Sequence, residues 1–338
     1  MKSFVSARMP DYWLEELGKY FEVDYYDWSA HGLLDEADFE ERAKDSHVIV
    51  VESDKISRGL IERASQLFAI VDFRGTVINV DIEAANEHGV AIINTPGRNA
   101  DAVADLTIAL IIMASRHVLP SIQYLKEGLW AEKGRYWMYT TCQGHDLPNK
   151  TVGLIGLGYI GRLVAKRLSG FDVEILGYDP YINKANLAGL NVNLVSLEEL
   201  LERSDFVSFH LPLNDQTKGT FGKKQFSLMK KSAYLINTSR AAVIHEPDFL
   251  DALQQGKIAG AAVDVYPEEP ITTDYPLLNL PNVICTPHIG GASLDVISHQ
   301  SRIGISALVE FLQGSTPDNI INPQSLEKAR AKMQEISV

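Results

Sequence analysis

Short apolar runs alternate along the chain with longer stretches in which apolar residues recur at helical spacing. The runs fall at 46–52, 67–73, 90–94, 152–155, 173–178, 206–210, 233–237, 260–265 and 283–286. Strands this uniformly apolar belong to parallel sheets covered on both faces, and the segments between them fit crossover helices. The expected class is α/β. The segment 101–117, DAVADLTIALIIMASRH, lacks Gly and Pro and follows the turn Thr95-Pro96-Gly97, so it is expected as one buried helix that opens a new domain. Residues 126–150 carry three Gly and two Trp with little periodicity, which predicts a long loop. The segment 293–313 is expected to be helical, and PDNIINP at 317–323 an extended piece returning to a partner. There is no internal repeat and no low-complexity tract.

Length and composition narrow the class of protein. A chain of 338 residues is long for one compact core and suits two domains. With 46% hydrophobic and 22% charged residues it has the make-up of a packed globular protein. The formal net charge of -13, with no long Lys/Arg block against it, argues against nucleic acid or an anionic membrane as a partner. Cys142 and Cys285 are far apart and lack metal-type spacing, so neither a disulfide framework nor a zinc site is expected. The opening residues have no apolar core of signal-peptide length, and no later run reaches the length of a membrane span. A reduced, cytoplasmic protein without a metal is expected.

The first chemical signal is TVGLIGLGYIG at 151–161, where Gly156, Gly158 and Gly161 form G-x-G-x-x-G directly after an apolar strand and at the start of a helix. Glycines there allow a tight turn, close approach of backbone N–H groups to a pyrophosphate and packing of helix on strand. A glycine-rich turn that binds nothing is the competing reading of this motif alone. Asp179 ends the next strand, 23 residues after Gly156, near the roughly twenty expected of an acid that accepts from ribose hydroxyls. A carboxylate at that place repels a 2′-phosphate, and Pro180-Tyr181 supplies no arginine to reverse the choice. NAD is therefore expected rather than NADP.

Further strands end on polar residues: DFVSFHLPL on His210, AYLINTSR on Thr238, Ser239 and Arg240, and GAAVDVYPEEP on Asp264 with Glu269 shortly after. Ligands of open α/β sheets sit beyond the carboxyl ends of the strands, so these residues point to one crevice. Arg240 as a lone surface charge would be a rim contact, whereas at such a strand end it can clamp a carboxylate in a bidentate pair. VICTPHIGG places His288 after the next strand, with Gly290 and Gly291 leaving backbone room beside it. His288 alone would be read as a structural histidine. Its appearance together with Arg240 and Glu269, each after a strand, makes it a candidate proton carrier.

These motifs, with IVDFRGTVINVD and GVAIINTPGRNADAVADLTIALIIMASRH before them, resemble the D-isomer-specific 2-hydroxyacid dehydrogenases, the family that includes D-3-phosphoglycerate dehydrogenase. The resemblance spans nearly the whole chain. It implies two Rossmann-like doubly wound α/β domains: a flavodoxin-like split substrate domain, 1–103 plus 296–338, and an inserted NAD(P)-binding Rossmann domain, 104–295. It implies NAD-dependent interconversion of a 2-oxo acid and a D-2-hydroxy acid. Arg240 would hold the substrate carboxylate and polarise the carbonyl, His288 would carry the proton, and Glu269 would stabilise the charged imidazole. The implied cofactor set is Gly156, Gly158, Tyr159, Ile160, Gly161, Asp179, His210, Pro212, Thr217, Thr238, Ser239, Asp264 and Gly290. Members are usually dimers or tetramers, so a homodimer or homotetramer is expected.

The chain departs from the family pattern in two places. The resemblance implies that backbone N–H groups of FRGTV, 73–77, also hold the substrate carboxylate, which makes Arg74, Gly75 and Thr76 substrate-binding candidates; here Arg74-Gly75-Thr76 stands in place of a glycine or serine pattern and Ile78 where an aspartate is usual. Arg74 is then either a second anion contact, suited to a phosphorylated or dicarboxylic substrate, or a rim charge; Arg98 and Arg135 are weaker candidates. After Arg240 the chain reads AAVIHE, with Ala241 for a glycine and His245 for an aspartate. His31 and His145 have nothing to recommend them, and Trp130 and Trp137 suit packing more than catalysis. A formate-oxidising branch uses glutamine at the place of Glu269 and is set aside. An NAD(H)-sensing, corepressor-like binding protein is the alternative from another class. Which acid is used, phosphoglycerate and sugar-derived acids included, is left open by the residues.

Overall fold

A computed structural model describes residues 1–336 of the chain, which divide into two compact units. One is Met1–Asn99 together with the segment from Ser293 onward, and the other is Ala100–Ala292. The boundaries fall three or four residues before the expected 103/104 and 295/296. The helix Ala100–Ser115 starts at Ala100 and already buries Ala100, Val103 and Ala104 in its first turns. Ser293 caps the helix Leu294–Leu312, its side chain accepting from Asp295 N–H, and that helix packs its Ile305, Leu308 and Phe311 into the first unit.

The first unit is a five-stranded parallel sheet with β1 (Lys2–Ser6), β2 (Glu22–Tyr25), β3 (Val48–Val51), β4 (Ala69–Asp72) and β5 (Ala91–Ile93), in the order β2-β1-β3-β4-β5. This is a flavodoxin-like, doubly wound arrangement. Alternation along each strand feeds two cores: Val48 and Val50 join Phe311 on one face, while Ile49 and Val51 join Phe39 and Ile61 on the other. The apolar runs foretold β3, β4 and β5 but neither β1 nor β2. The apolar part of β1 is only Phe4-Val5, and β2 is a half-exposed edge strand reading EVDY. The extended piece at 317–323 returns to the free edge of β5, where Ile320 bridges Ile93 antiparallel and Ile321 N–H donates to the Ile92 carbonyl.

The second unit is a seven-stranded parallel sheet: β6 (Thr151–Ile155), β7 (Glu174–Tyr178), β8 (Asn193–Leu194), β9 (Phe206–Phe209), β10 (Tyr234–Asn237), β11 (Gly260–Val263) and β12 (Val283–Cys285). Its order is β12-β11-β10-β9-β6-β7-β8, so the chain reverses direction across the sheet between β6 and β9. That reversal is the switch point of a Rossmann sheet. The helix Ala100–Ser115 covers one face with Leu110 and Ile111 against Leu154, Ile236 and Ala262. Residues 126–150 are not the expected loop. Short helices Leu129–Lys133 and Arg135–Thr141 follow the helix Val118–Lys126, and none of the three has a buried residue. Within 126–150 the two helices have five and seven residues, too short for a helical period to show in the sequence. Among the described residues, no single helix is long and apolar enough to cross a membrane, and no cluster of His, Cys, Asp and Glu is arranged for a metal ion.

Candidate active site

The glycine loop joins β6 to the helix Tyr159–Leu168 at the switch point. Gly156 has φ +94°, and a Cβ there would stand 2.6 Å from the His210 carbonyl oxygen. At Gly161 a Cβ would meet the Gly156 carbonyl oxygen at 2.1 Å, so the helix approaches the loop only because that residue is glycine. Gly158 faces open space. Tyr159 is exposed with Arg162 against its ring, Ile160 is half-buried, and Arg162 donates back to the Leu157 carbonyl. Asp179 accepts from Leu157 N–H through Oδ2 at 2.8 Å and from Tyr181 N–H through Oδ1 at 2.9 Å. A carboxylate has about four acceptor sites, so both oxygens retain capacity for ribose hydroxyls while they brace the loop.

A cavity of about 480 Å3 brings Gly156, Gly158, Asp179, His210, Pro212 and Thr217 together in one wall system. His210 is almost fully buried there, with Nε2 3.0 Å from Ser208 Oγ and Nδ1 without a partner. Burial pushes its imidazole down to about 3, which keeps the ring neutral at ordinary pH. An orphaned buried nitrogen, an open glycine and a two-oxygen acceptor in one cavity suit the phosphate and ribose groups of NAD. Thr217 Oγ1 donates to the Pro212 carbonyl at 2.6 Å and shapes the loop 212–217. Thr238 shares a buried hydrogen bond with Thr107, and Ser239 donates to Asn237 Oδ1, so both are engaged inside the fold. Leu211, Asn214, Gln216 and Tyr181 also line this cavity. Nothing in their spacing had singled them out.

Arg240, Glu269 and His288 follow the adjacent strands β10, β11 and β12. His288 Nδ1 lies 2.6 Å from Glu269 Oε2, and the other carboxylate oxygen accepts from Tyr266 N–H at 3.0 Å. Burial alone would raise the Glu269 carboxyl; the bonds from His288 and Tyr266 and the charges of His288 and Arg240 bring it below its ordinary value. Arg240 is exposed and spends Nη1 on the Ser239 carbonyl at 2.7 Å. A cavity of about 650 Å3, with Glu269 and His288 at its wall beside Tyr266, Ile271 and Leu278, adjoins the pair. With Nδ1 held by a carboxylate, His288 has Nε2 for proton transfer.

Asp264, expected at the nicotinamide end, is 1% exposed and fully engaged with the segment that carries His288. Oδ1 accepts from Thr286 Oγ1 at 2.6 Å and Ile289 N–H at 2.8 Å, and Oδ2 accepts from Gly290 N–H at 2.7 Å. Tyr266, which sequence reasoning passed over, donates its hydroxyl to the Thr286 carbonyl at 2.9 Å.

Arg74, Gly75, Thr76 and Arg98 lie in the first unit, beyond the carboxyl ends of β4 and β5. The Arg74 and Gly75 carbonyls accept from Thr95 N–H and Asn94 Nδ2, whereas the amides of residues 75–77 find no acceptor among the described residues. Such a run of free amides can take an anion. Arg98 is committed within the protein, with Nη1 3.1 Å from Glu52 Oε1 and bonded to Gln300. Arg74 Nη1 donates to the Glu52 carbonyl at 3.1 Å. Beneath them Asp72 is fully buried without a hydrogen-bond partner, and burial raises its carboxyl to about 7 despite the nearby Arg74 charge.

The chain is similar to known proteins over most of its length. A model described as D-isomer specific 2-hydroxyacid dehydrogenase, NAD binding domain, matches residues 108–290. The chain is 35% identical to a glyoxylate reductase of Korarchaeum cryptofilum over 97% of each chain. It is 38% identical to a D-3-phosphoglycerate dehydrogenase of Methanocaldococcus jannaschii over 94% of this chain and 58% of that one. The crystal structure of the TT0316 protein from Thermus thermophilus matches with a TM-score of 0.80 and 32% identity, covering 95% of this chain and 100% of that one.

Proposed function

Because the chain belongs to the D-isomer specific 2-hydroxyacid dehydrogenase family, and is thus an NAD-dependent oxidoreductase of 2-hydroxy and 2-oxo acids, we propose the division of labour among its residues and the kind of acid it takes. The bond between His288 and Glu269 at 2.6 Å carries the proposal. Bound NAD supplies the hydride acceptor for a hydroxy acid, or as NADH the hydride donor for an oxo acid. In the reducing direction the protein gives one proton from His288 Nε2 to the carbonyl oxygen as C2 gains its hydride; in the oxidising direction the same nitrogen takes that proton back. Glu269 stabilises the imidazolium and fixes the ring through Nδ1. Arg240 pairs with the substrate carboxylate through the part of its fork not spent on Ser239; within the first unit, the amides at 75–77 are the place that can take an anion.

The acid we propose is short and carries no phosphate. Arg98 shares the Glu52 carboxylate with Arg8 and also bonds Gln300, and Arg74 leans on the Glu52 backbone above a buried Asp72, so both side chains are already held within the protein. The identity with a named glyoxylate reductase supports the same reading. We also propose a homodimer built on the helices at 118–141, which expose Leu119, Ile122, Leu125, Trp130, Tyr136 and Tyr139.

Oxidation of NADH over a panel of glyoxylate, hydroxypyruvate and 3-phosphohydroxypyruvate tests the substrate. The two unphosphorylated acids are expected to turn over with the higher kcat/KM, and a preference for the phosphorylated acid overturns that choice. His288→Asn is expected to lower kcat by about 100-fold or more with NADH binding retained. Turnover within a few-fold of wild type removes His288 as proton carrier, and no turnover of any acid by the wild-type protein would favour a binding-only role.

A further inference from the structure

The cofactor cavity is bounded on one side by the segment after β7 and on the other by the loop after β9. Each wall is fixed by its own hydrogen bonds. On the β7 side, Asp179 Oδ1 holds Tyr181 N–H. On the β9 side, Asn214 Oδ1 accepts from the N–H groups of Gln216 and Thr217, and Thr217 Oγ1 returns to the Pro212 carbonyl. One direct side-chain bond joins the two walls at their tips: Tyr181 hydroxyl to Gln216 Oε1, 2.6 Å, across 35 residues of sequence. Both residues line the cavity, and Tyr181 is 78% exposed, so the bond lies on the solvent side.

We infer that Tyr181 and Gln216 are cofactor-retaining residues that strap the cavity over the adenosine half of NAD. Asp179 sits two residues before Tyr181 and marks the ribose end of the cavity, while Gly156 and Gly158 mark the phosphate end. An adenosine seated against Asp179 lies under the strap, which must open for it to enter or leave. The two anchored walls leave rotation of these two side chains as the cheapest opening. An exposed neutral hydrogen bond is weak enough to break on every turnover and strong enough to slow release several-fold.

Stopped-flow fluorescence of NADH binding to the full-length protein tests the strap. Tyr181→Phe removes only the hydroxyl and is expected to speed both association and dissociation of NADH by about three- to tenfold, so Kd moves less than either rate. Gln216→Ala is expected to do the same, and the double variant to be no faster than either single one, because they break the same bond. Reduced nicotinamide mononucleotide, which lacks the adenosine half, is expected to exchange at one rate in all four proteins. NADH rates within twofold of wild type in Tyr181→Phe, additive effects in the double variant, or equal acceleration for the mononucleotide each overturn the inference. None of these outcomes bears on the acid–base role of His288, which the measurement does not involve.

Discussion

His288 adopts a left-handed backbone with φ +53°. A non-glycine residue pays roughly 1 kcal/mol or more for that conformation, so something must hold it, and the hydrogen bonds identify Asp264. Its buried carboxylate takes three donors from residues 286, 289 and 290, on both sides of the histidine. Asp264→Asn keeps one acceptor oxygen and turns an amide N–H₂ toward a backbone donor. We expect kcat/KM to fall by about tenfold to 100-fold while the NADH Kd stays within about threefold. Steady-state kinetics with fluorescence titration checks this, and a larger loss of NADH affinity than of turnover would return Asp264 to the cofactor. The residue types of the site were legible: an arginine, a glutamate and a histidine after successive apolar runs, and an acid at the right distance from a glycine loop. The work of Asp264 was not, because two of its three partners are backbone amides that any sequence has, and the third is the Thr286 hydroxyl. Tyr266 escaped notice for a similar reason, since it holds Glu269 through its own N–H and the segment that carries His288 through the Thr286 carbonyl.

Among elements, legibility follows runs of buried apolar residues: β1 is buried at four of five residues but two of them are Ser3 and Ser6, so it makes no run. Strands β3, β4, β6, β9, β10 and β11 are buried along nearly their whole length and stand out as apolar runs. The edge strands β2 and β8 are half-exposed, and β8 has two residues, so neither makes a pattern. The helices at 118–141 show the other limit. They have 9, 5 and 7 residues, lengths at which an isolated helix is marginal in water, and none of their residues is fully buried while leucine and aromatic side chains are exposed. A second copy of the same surface would cover those side chains without a separate partner. Leu125→Asp together with Trp130→Asp is expected to shift the protein from dimer to monomer at micromolar concentration with the β-sheet circular dichroism unchanged. Sedimentation velocity reads the result, and an unaltered sedimentation coefficient would dissociate this arm from assembly.

Across the whole molecule, two buried groups, Asp72 in the first unit and His210 in the second, contribute pH dependences of opposite sign, because each is held in the form that burial favours. Asp72 in the first unit has its carboxyl raised from 3.8 to about 7, chiefly by burial. Between those values the folded unit holds a proton that the unfolded chain has lost, so stability is present at the acid end and falls as pH rises toward 7. His210 in the second unit is lowered from 6.5 to about 3, again by burial. There the unfolded chain holds the extra proton, so stability falls as pH drops below 6.5. Over pH 4 to 6.5 the two slopes have opposite sign and about one proton each, and a transition that unfolds both units together is expected to show little dependence from this pair. Removing either group exposes the other. Asp72→Asn should make urea unfolding gain stability steeply from pH 4.5 to 6.5, and His210→Gln should make it lose stability over the same interval, by on the order of 2–3 kcal/mol each. Urea titrations at three pH values across that interval measure both slopes. Parallel curves for the two variants would show that neither burial governs how the folded protein responds to acid.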